Sequence, residues 1–312
     1  MFDTVYLRLT LGEVGGVDFL AETPCHLEDV AEHKYSDGTT VITGKVGSLK
    51  VSLNRFQIKV CDGSLCKWQL GDNCRTMGRR DTQMAIERLS DTLHLPMEKA
   101  TVFRLDVAQN FICRHPTEVY LNHLGELMHA KRLRQPNSLY YHMANGLLCF
   151  YDKNQELTAK REPVPELYQG RNVLRYEQRY TQRIARQLNV QEVTCAMLYD
   201  EGFYIGLLNR WRDSYRKIQK INDYTLNFQA MRTKSDLYKM GVLSLVERAG
   251  GQVEMIEQIR EALKRGELTR KQAHDLRQAV NDACRVGDGM VVPSSEMREF
   301  DKKVSEAVRF YR

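Results

Sequence analysis

Three segments with the alternation of β-strands carry charged residues in their middle. Alternate side chains of a strand share one face of its sheet, so each segment places its charges on one face. The residues that share a face in this way are Arg104 and Asp106, Tyr151 and Lys153, and Arg175, Glu177 and Arg179. Three such strands side by side would gather two carboxylates, a phenol, a lysine and several arginines, as in a phosphoryl-transfer site.

Each of these residue types has a chemical role in such a site. Asp106 and Glu177 are hard oxygen ligands suited to Mg²⁺ or Mn²⁺, which would offset charge that develops on a phosphate. Tyr151 would be the nucleophile. A phenol has a pKa of about 10, so a metal ion or Lys153 must lie nearby to favour the phenolate. Lys153 can alternatively stabilise the pentavalent phosphate.

Arginines continue past the third segment at near-helical spacing, at Arg179, Arg183 and Arg186. With Arg104 and Arg175 they are predicted to contact the phosphates of DNA. The alternative is a solvated basic face. The whole constellation also has a non-catalytic interpretation, in which the charges form surface ion pairs on the solvent face of an antiparallel sheet.

Two neighbouring tyrosines, Tyr140 and Tyr141, compete with Tyr151 for the role of nucleophile. Period-two alternation places them on opposite faces, so at most one of them can point at the metal. Tyr151 is preferred because Lys153 accompanies it. His142 is either a metal ligand or a surface residue.

The elements that would position these residues follow from hydrophobic periodicity and turn residues. The predicted strands are Val41–Lys45, Lys50–Val60, Leu65–Leu70, Thr101–Phe111, Leu147–Lys153 and Asn172–Arg179. The predicted helices are Asp81–Leu93, Thr117–Ala130, Thr181–Leu188, Tyr204–Gln219, Gln252–Lys264 and Thr269–Arg285. The fold class is therefore α+β: an antiparallel sheet with packed helices in residues 1–188, followed by a helical domain in residues 189–312.

The helical part offers two further candidates for contacts with partners. Trp211 and Tyr215 lie among basic residues and either stack on single-stranded bases or belong to the core. The helical hairpin Gln252–Arg285 is a candidate for DNA recognition in a major groove or for dimerisation.

The composition is that of a globular protein large enough for two structural units, with 312 residues of which 42% are hydrophobic. The net charge of +6 permits binding to phosphate backbones. The eight cysteines lack zinc spacing and are expected to be reduced thiols. The absence of a long apolar run predicts a cytoplasmic protein that does not enter a membrane. The segment Gly38–Val46 lacks the spacing of a Walker loop, so ATPase activity is not expected.

Three ordered motifs carry a family resemblance. They are Phe103-Arg104-Leu105-Asp106, Phe150-Tyr151-Asp152-Lys153 with Glu156, and Leu174-Arg175-Tyr176-Glu177. Together they resemble phage and plasmid replication initiators of the gene II/X type, over residues 50–190. The Tyr-Asp-Lys-x-x-Glu stretch is also similar to the active-site strand of plasmid rolling-circle initiators and transfer relaxases.

A fourth segment, Leu70-Gly71-Asp72-Asn73, resembles a Gly-His-Asn segment of filamentous-phage initiators, with aspartate in place of histidine. Asp72 is therefore a candidate third metal ligand. Its alternative is a polar residue in a Gly-Asp-Asn turn.

The resemblance implies a fold related to the His-hydrophobe-His nucleases, with carboxylates among the metal ligands. It implies a site-specific DNA endonuclease and strand transferase whose Tyr151 attacks a phosphodiester at an origin, leaving a 5′-phosphotyrosyl link and a 3′-hydroxyl that primes rolling-circle replication. The implied partners are single-stranded or supercoiled origin DNA and the helicase and polymerase of a bacterial host, with homo-oligomers left open. A conjugative-transfer relaxase and a non-catalytic origin-binding repressor or adaptor of the same fold are the alternatives.

Overall fold

The computed structural model describes residues 1–221, 225–226, 232–292 and 295–312, with the backbone alone for residues 225–226 and 286–292. The chain divides into two compact units. The first comprises residues 1–221 and 299–312, and the second comprises residues 222–298.

The framework of the first unit is one large sheet. Among the described residues its strands are β1 Phe2–Thr10, β2 Glu28–Lys34, β3 Thr40–Val46, β4 Leu49–Leu53, β5 Gln57–Cys61, β6 Thr101–Cys113, β7 Lys131–Gln135, β8 Ser138–Met143, β9 Gly146–Asp152 and β10 Asn172–Tyr180. They lie in the order β2-β3-β4-β5-β1-β6-β10-β9-β8-β7. Each neighbouring pair is antiparallel, as the sequence predicted.

Helices lie between these strands along the chain and follow the last of them. They are α1 Leu11–Val14, α2 Phe19–Glu22, α3 Leu65–Leu70, α4 Arg79–Leu93, α5 Thr117–His123, α6 Lys153–Ala159, α7 Ile184–Leu188, α8 Cys195–Tyr199, α9 Glu201–Arg216, α10 Lys234–Arg248, α11 Gln252–Lys264, α12 Arg270–Met290 and α13 Ser295–Phe310. Short 3₁₀ turns occur at Pro24–His26, Met97–Lys99 and Glu166–Tyr168. Among the helices of the described residues, none is both long and apolar enough to cross a membrane.

An aromatic layer fixes α9 and α13 on one face of the sheet. The ring of Tyr176 on β10 stacks between Phe150 on β9 and Trp211 on α9, with ring centroids 4.5 Å apart in both pairs. Tyr215 on α9 and Phe300 on α13 pack edge to face, 5.2 Å apart. Trp211 and Tyr215 are therefore core residues, and the alternative that they stack on DNA bases is wrong.

This layer also explains why the expected boundary between residues 188 and 189 does not coincide with the observed division. Burying a large aromatic side chain contributes more than leaving it exposed on an independent helix. Trp211 and Phe300 are fully buried against strands of the sheet. The helices that carry them therefore belong to the first unit although they follow residue 188 in the chain.

Several predicted elements differ in type or length from those of the structure. Leu65–Leu70 is a helix and not a strand, since the Ser64 side chain accepts a hydrogen bond from the Lys67 amide and Gly71 ends the helix with a positive φ. The predicted strand Lys50–Val60 is the hairpin of β4 and β5. The helix predicted over Thr117–Ala130 ends at His123.

The second unit is helical. In it α10, α11 and α12 pack around Val246, Ile259, Ala273 and Val280. The predicted bounds of Gln252–Lys264 are confirmed. Thr225–Leu226 and Val291–Val292 form a short antiparallel pair, β11 and β12.

Candidate active site

The three strands that carry charged residues lie side by side, which is the condition under which their alternation gathers the charges on one face. The sheet order in this region is β6-β10-β9. The register aligns their side chains in three rows across the sheet: Asp106, Arg179 and Leu147; Ala108, Glu177 and Cys149; Asn110, Arg175 and Tyr151. One face of these strands therefore collects the predicted carboxylates, arginines and phenol.

A cavity of about 660 Å³ opens on this face. Its walls include Asp106, Glu177 and Tyr151, together with the partly exposed arginines Arg104 and Arg179. The aromatic layer lies on the opposite face. The same strands thus separate a polar cavity from the apolar core.

Asp106 is buried at the floor of the cavity and is held by arginine. The Arg104 guanidinium donates to both carboxylate oxygens, from Nε at 3.1 Å and from Nη2 at 2.8 Å. Arg179 Nε lies 3.9 Å from Asp106 Oδ2. Burial raises the pKa of Asp106 well above its ordinary value, against the hydrogen bonds from Arg104, and the nearby charge of Glu177 raises it further.

Glu177 occupies the centre of the site and is held in the ionised form. Burial by itself would raise its pKa, but the charges of Arg175 and Arg179 outweigh that effect and lower the pKa. Arg179 Nε donates to Glu177 Oε1 at 2.7 Å, and Arg175 Nε donates to Oε2 at 3.3 Å. Arg179 thus lies between the two carboxylates and links them.

Tyr151 points into the cavity beside Glu177. Its hydroxyl donates to Glu177 Oε2 at 3.1 Å. Burial raises the pKa of Tyr151 well above its ordinary value, Arg175 opposes this, and the negative charge of Glu177 adds to it. The phenol is therefore protonated at neutral pH, so the phenolate would need additional positive charge at this position.

Lys153 lies elsewhere than the strand pattern predicts. β9 ends at Asp152, whose side chain caps α6, so Lys153 begins a helix and does not share a strand face with Tyr151. Its ammonium is fully buried and donates to Asn73 Oδ1 at 2.8 Å and to Glu156 Oε2 at 2.6 Å. The predicted catalytic role is not supported by this position, and Lys153 instead ties the loop after α3 to α6.

Asp72 does not reach the cavity. Its carboxylate accepts hydrogen bonds from the backbone amides of Cys74 and Arg75, at 2.9 and 3.1 Å, which is the geometry of an Asx turn. This geometry matches the turn alternative, and the position of Asp72 does not support a role as third metal ligand. Its neighbour Asn73 lines the cavity and holds Lys153.

The predicted DNA-contacting arginines fall into three groups. Arg104 and Arg179 line the cavity with side chains 27% and 30% exposed. Arg175 is buried and donates to Asp3 Oδ2 at 2.5 Å as well as to Glu177, so it serves the interior rather than a phosphate. Arg183 is exposed beside a separate pocket at the start of α7.

Asp3 is a site residue that sequence reasoning missed. It lies on β1 at a register shift between Phe2 and Val5. Its buried carboxylate accepts from Ser64 Oγ at 2.5 Å and from Arg175, and it lines the cavity. Alternation alone would place Asp3 on the same face as the buried Val5, Leu7 and Leu9, so the strand pattern gave no signal for its position at the cavity, which accompanies the register shift before Val5.

The rival tyrosines are separated by the sheet, as period two predicts. Tyr141 is fully buried on the apolar side, and its hydroxyl donates to Gly125 O at 2.7 Å. Tyr140 lines the cavity. His142 is exposed, and its ring centroid lies 6.3 Å from that of Tyr140.

The cavity contains carboxylate oxygens, which are the ligands that hard divalent cations prefer. Within the part of the chain that the structure describes, no group of three His, Cys, Asp or Glu side chains could hold a metal ion. Mg²⁺, however, is commonly bound by one or two carboxylates and completes its shell with water and substrate phosphate. Asp106 and Glu177 supply two such carboxylates, and in the arrangement observed both are hydrogen-bonded by arginines.

A family model described as the N-terminal part of a phage replication-associated protein matches residues 1–199, which is more than half of the chain. The chain belongs to this family. The match supports a phage replication initiator of the gene II type, and it covers every strand of the large sheet and every residue named above in the cavity wall. A search of curated proteins found no match.

Proposed function

We propose that this member of the phage replication-associated family nicks one strand of origin DNA, with Tyr151 as the nucleophile and with Asp106 and Glu177 holding a divalent metal ion. The observation that carries the proposal is the hydrogen bond of the Tyr151 hydroxyl to Glu177 inside a cavity whose walls include Asp106 and two partly exposed arginines. A nucleophile, hard oxygen ligands and phosphate-binding cations are what phosphodiester cleavage requires.

The reaction transfers a phosphoryl group from the 3′ oxygen of the cleaved bond to the oxygen of Tyr151. The phenol of Tyr151 loses its proton, its oxygen forms a bond to phosphorus, and the bond from phosphorus to the 3′ oxygen breaks. The departing 3′ oxygen takes up a proton, which leaves a 5′-phosphotyrosyl link and a free 3′-hydroxyl. A bound Mg²⁺ or Mn²⁺ would favour the phenolate and offset the charge on the phosphate. Because the phosphotyrosyl bond conserves the energy of the cleaved bond, the 3′-hydroxyl can reverse the step and rejoin the strand.

The surrounding residues divide the remaining work. Arg104 and Arg179 reach the cavity and would hold the oxygens of the scissile phosphate. Arg175 is buried and keeps Glu177 ionised and oriented. Lys153 orients the Asn73 loop against α6. In this proposal the sheet is related to that of the His-hydrophobe-His nucleases, with carboxylates as ligands.

The replication setting supplies the partners. We propose that origin DNA, presented as a single strand or by supercoiling, is the substrate, and that a helicase and polymerase of the bacterial host extend the 3′-hydroxyl in the cytoplasm. The family match supports this setting.

The test is cleavage, in the presence of Mn²⁺, of labelled single-stranded DNA fragments from the origin region of the genome that encodes this protein. Covalent protein–DNA adducts are resolved on a denaturing gel. We expect a 5′ adduct with the wild type and with Tyr140→Phe, and none with Tyr151→Phe. An adduct that persists in Tyr151→Phe would show that another residue is the nucleophile. Tight binding without any adduct under any metal would favour an origin-binding repressor or adaptor.

A further inference from the structure

The rows of aligned side chains continue beyond the catalytic strands to the edge of the sheet. On β8 and β7, His142 and Lys131 extend the row of Leu147, and Tyr140 and Leu133 extend the row of Cys149. Alternation places these residues on the cavity side of the sheet. We call the surface formed by Leu133, Tyr140, His142 and Leu147 the edge platform.

The edge platform is exposed although much of it is apolar or aromatic. Leu133 is 42% exposed and His142 is exposed, while Tyr140 and Leu147 are half-buried. On the opposite face of the same hairpin, Leu139 and Tyr141 are fully buried. In β7 and β8, the residues that pack in the core therefore lie on the face opposite the platform. The platform side chains are available for a ligand.

The platform is continuous with the cavity that contains Tyr151. Ser138 lies directly opposite Tyr151, and Tyr140 lies two residues further along β8. Such diagonal neighbours in an antiparallel pair lie about 7–8 Å apart. Tyr140 also lines the cavity wall. A strand bound at Tyr151 would therefore meet Tyr140 within one or two nucleotides.

Charge marks both ends of the platform. The row that crosses it runs from Arg179 through Leu147 and His142 to Lys131. Three strand spacings separate the two cations, a distance of about 14 Å. Cations at the ends and rings in the middle suit an anionic backbone whose bases lie flat on the sheet.

We propose that the edge platform binds single-stranded DNA next to the scissile phosphate, with bases stacked on Tyr140 and His142 and a backbone phosphate at Lys131. The identity of this strand rests on the proposed function, because a nicking enzyme has such a strand beside its nucleophile. Duplex DNA does not fit this mode, since its base faces are covered by their neighbours. The platform would hold the strand while Tyr151 attacks.

The experiment measures binding without cleavage. The full-length chain carries Tyr151→Phe, no metal is added, and fluorescence anisotropy follows a labelled oligothymidylate, its abasic counterpart of the same length, and a duplex of that length. In this background we compare Tyr140→Ala, Tyr140→Phe and His142→Ala. The matched control is Tyr35→Ala, because Tyr35 is a tyrosine with an exposed side chain that lies outside the platform.

We expect Tyr140→Ala to weaken binding of the oligothymidylate about tenfold, with a smaller loss for His142→Ala. Tyr140→Phe and Tyr35→Ala should bind as the parent does, since stacking needs the ring and not the hydroxyl. The abasic strand should bind weakly and equally to the parent and to Tyr140→Ala.

Three results would overturn the platform: a parent that does not prefer the single strand to the duplex or to the abasic strand, a Tyr140→Ala variant as tight as the parent, or a Tyr140→Phe variant as weak as Tyr140→Ala. The last result would assign the role to the hydroxyl. Failure of the nicking proposal is a separate outcome, because it appears as the absence of an adduct while this binding difference persists.

Discussion

The two faces of β9 and β10 are built on opposite principles. On one face, Phe150 and Tyr176 stack with Trp211, and the side chains are stabilised by buried area and ring packing. On the other face, Arg175 and Glu177 are equally buried but are charged. The same strands therefore carry an ordinary core on one side and a buried charge network on the other.

This difference shows that the reactive groups lie on the face where buried charges must be paired. Burial of charge is costly unless each group is paired, so the cavity face retains its carboxylates only because arginines accompany them. Asp106 is held by Arg104, Glu177 by Arg175 and Arg179, and Asp3 by Arg175. The apolar face stabilises the fold, and this free energy offsets the cost of burying charge on the other face.

Removal of one hydroxyl from each face should give the largest difference in activity between the two faces. Tyr151→Phe removes the donor to Glu177, and Tyr176→Phe removes the donor to Trp211 O at 2.9 Å. Each should change the free energy of unfolding by only about 1 kcal/mol. Only Tyr151→Phe should abolish the covalent adduct. Loss of the adduct in Tyr176→Phe at unchanged stability would contradict the assignment of the reaction to the cavity face alone.

Removal of the buried guanidinium should give the largest loss of stability. Arg175→Met leaves Asp3 and Glu177 buried without their shared cation, and we expect the free energy of unfolding to fall by about 3–5 kcal/mol. Urea denaturation followed by circular dichroism measures it. Adding Glu177→Gln should restore part of the loss, because one uncompensated charge is removed. A wild-type midpoint for Arg175→Met would mean that the network is not needed for folding.

The two carboxylates should impose opposite pH dependences on stability. The pKa of Glu177 is lowered by folding, so its contribution is fully present above the ordinary glutamate pKa and is lost as the pH falls through the folded value. The pKa of Asp106 is raised by folding, so stability falls as the pH rises from about 4, the ordinary aspartate pKa, through the folded value.

The Asp106 effect can be isolated with Asp106→Asn, which has no charge to bury. In urea titrations at a series of pH values, we compare the free energy of unfolding of the wild type with that of Asp106→Asn. As the pH rises from about 4, the value for the wild type should fall relative to that for the variant. A difference that moves in favour of the wild type over that range would contradict the raised pKa.

The smallest effect is expected for Asp72, whose carboxylate caps a turn outside the cavity. Asp72→Ala should lose about 1 kcal/mol of stability and bind Mn²⁺ as the wild type does. Asp106→Asn should weaken Mn²⁺ binding. Titration of Mn²⁺ by electron paramagnetic resonance compares the two, and a weaker affinity in Asp72→Ala would return Asp72 to the metal site.

Period-two alternation in three segments was sufficient to predict the charged face, because the side-chain direction in a strand is a local property. It identified Asp106, Glu177 and Tyr151 and placed them on one side of a sheet. It also separated Tyr140 from Tyr141. The ordered motifs were sufficient to predict the family, which the family match confirms for residues 1–199.

Other assignments depended on contacts between distant parts of the chain. Asp3 meets Arg175 across 172 positions, and no local pattern identifies that pairing or shows that it buries the arginine. Lys153 follows Tyr151 closely in sequence, yet a helix cap at Asp152 turns it toward Asn73. Asp72 and Asn73 differ by one position, and only the turn decides which of them reaches the cavity.

By itself, then, the sequence determined which residue types face the same side of each strand and to which family the chain belongs, because periodicity and short motifs are local. The tertiary structure decided which charges are paired, which arginines remain at the cavity wall, and where the first unit ends. Those outcomes depend on strand register and on the burial of Trp211 and Phe300, which join segments far apart in the chain.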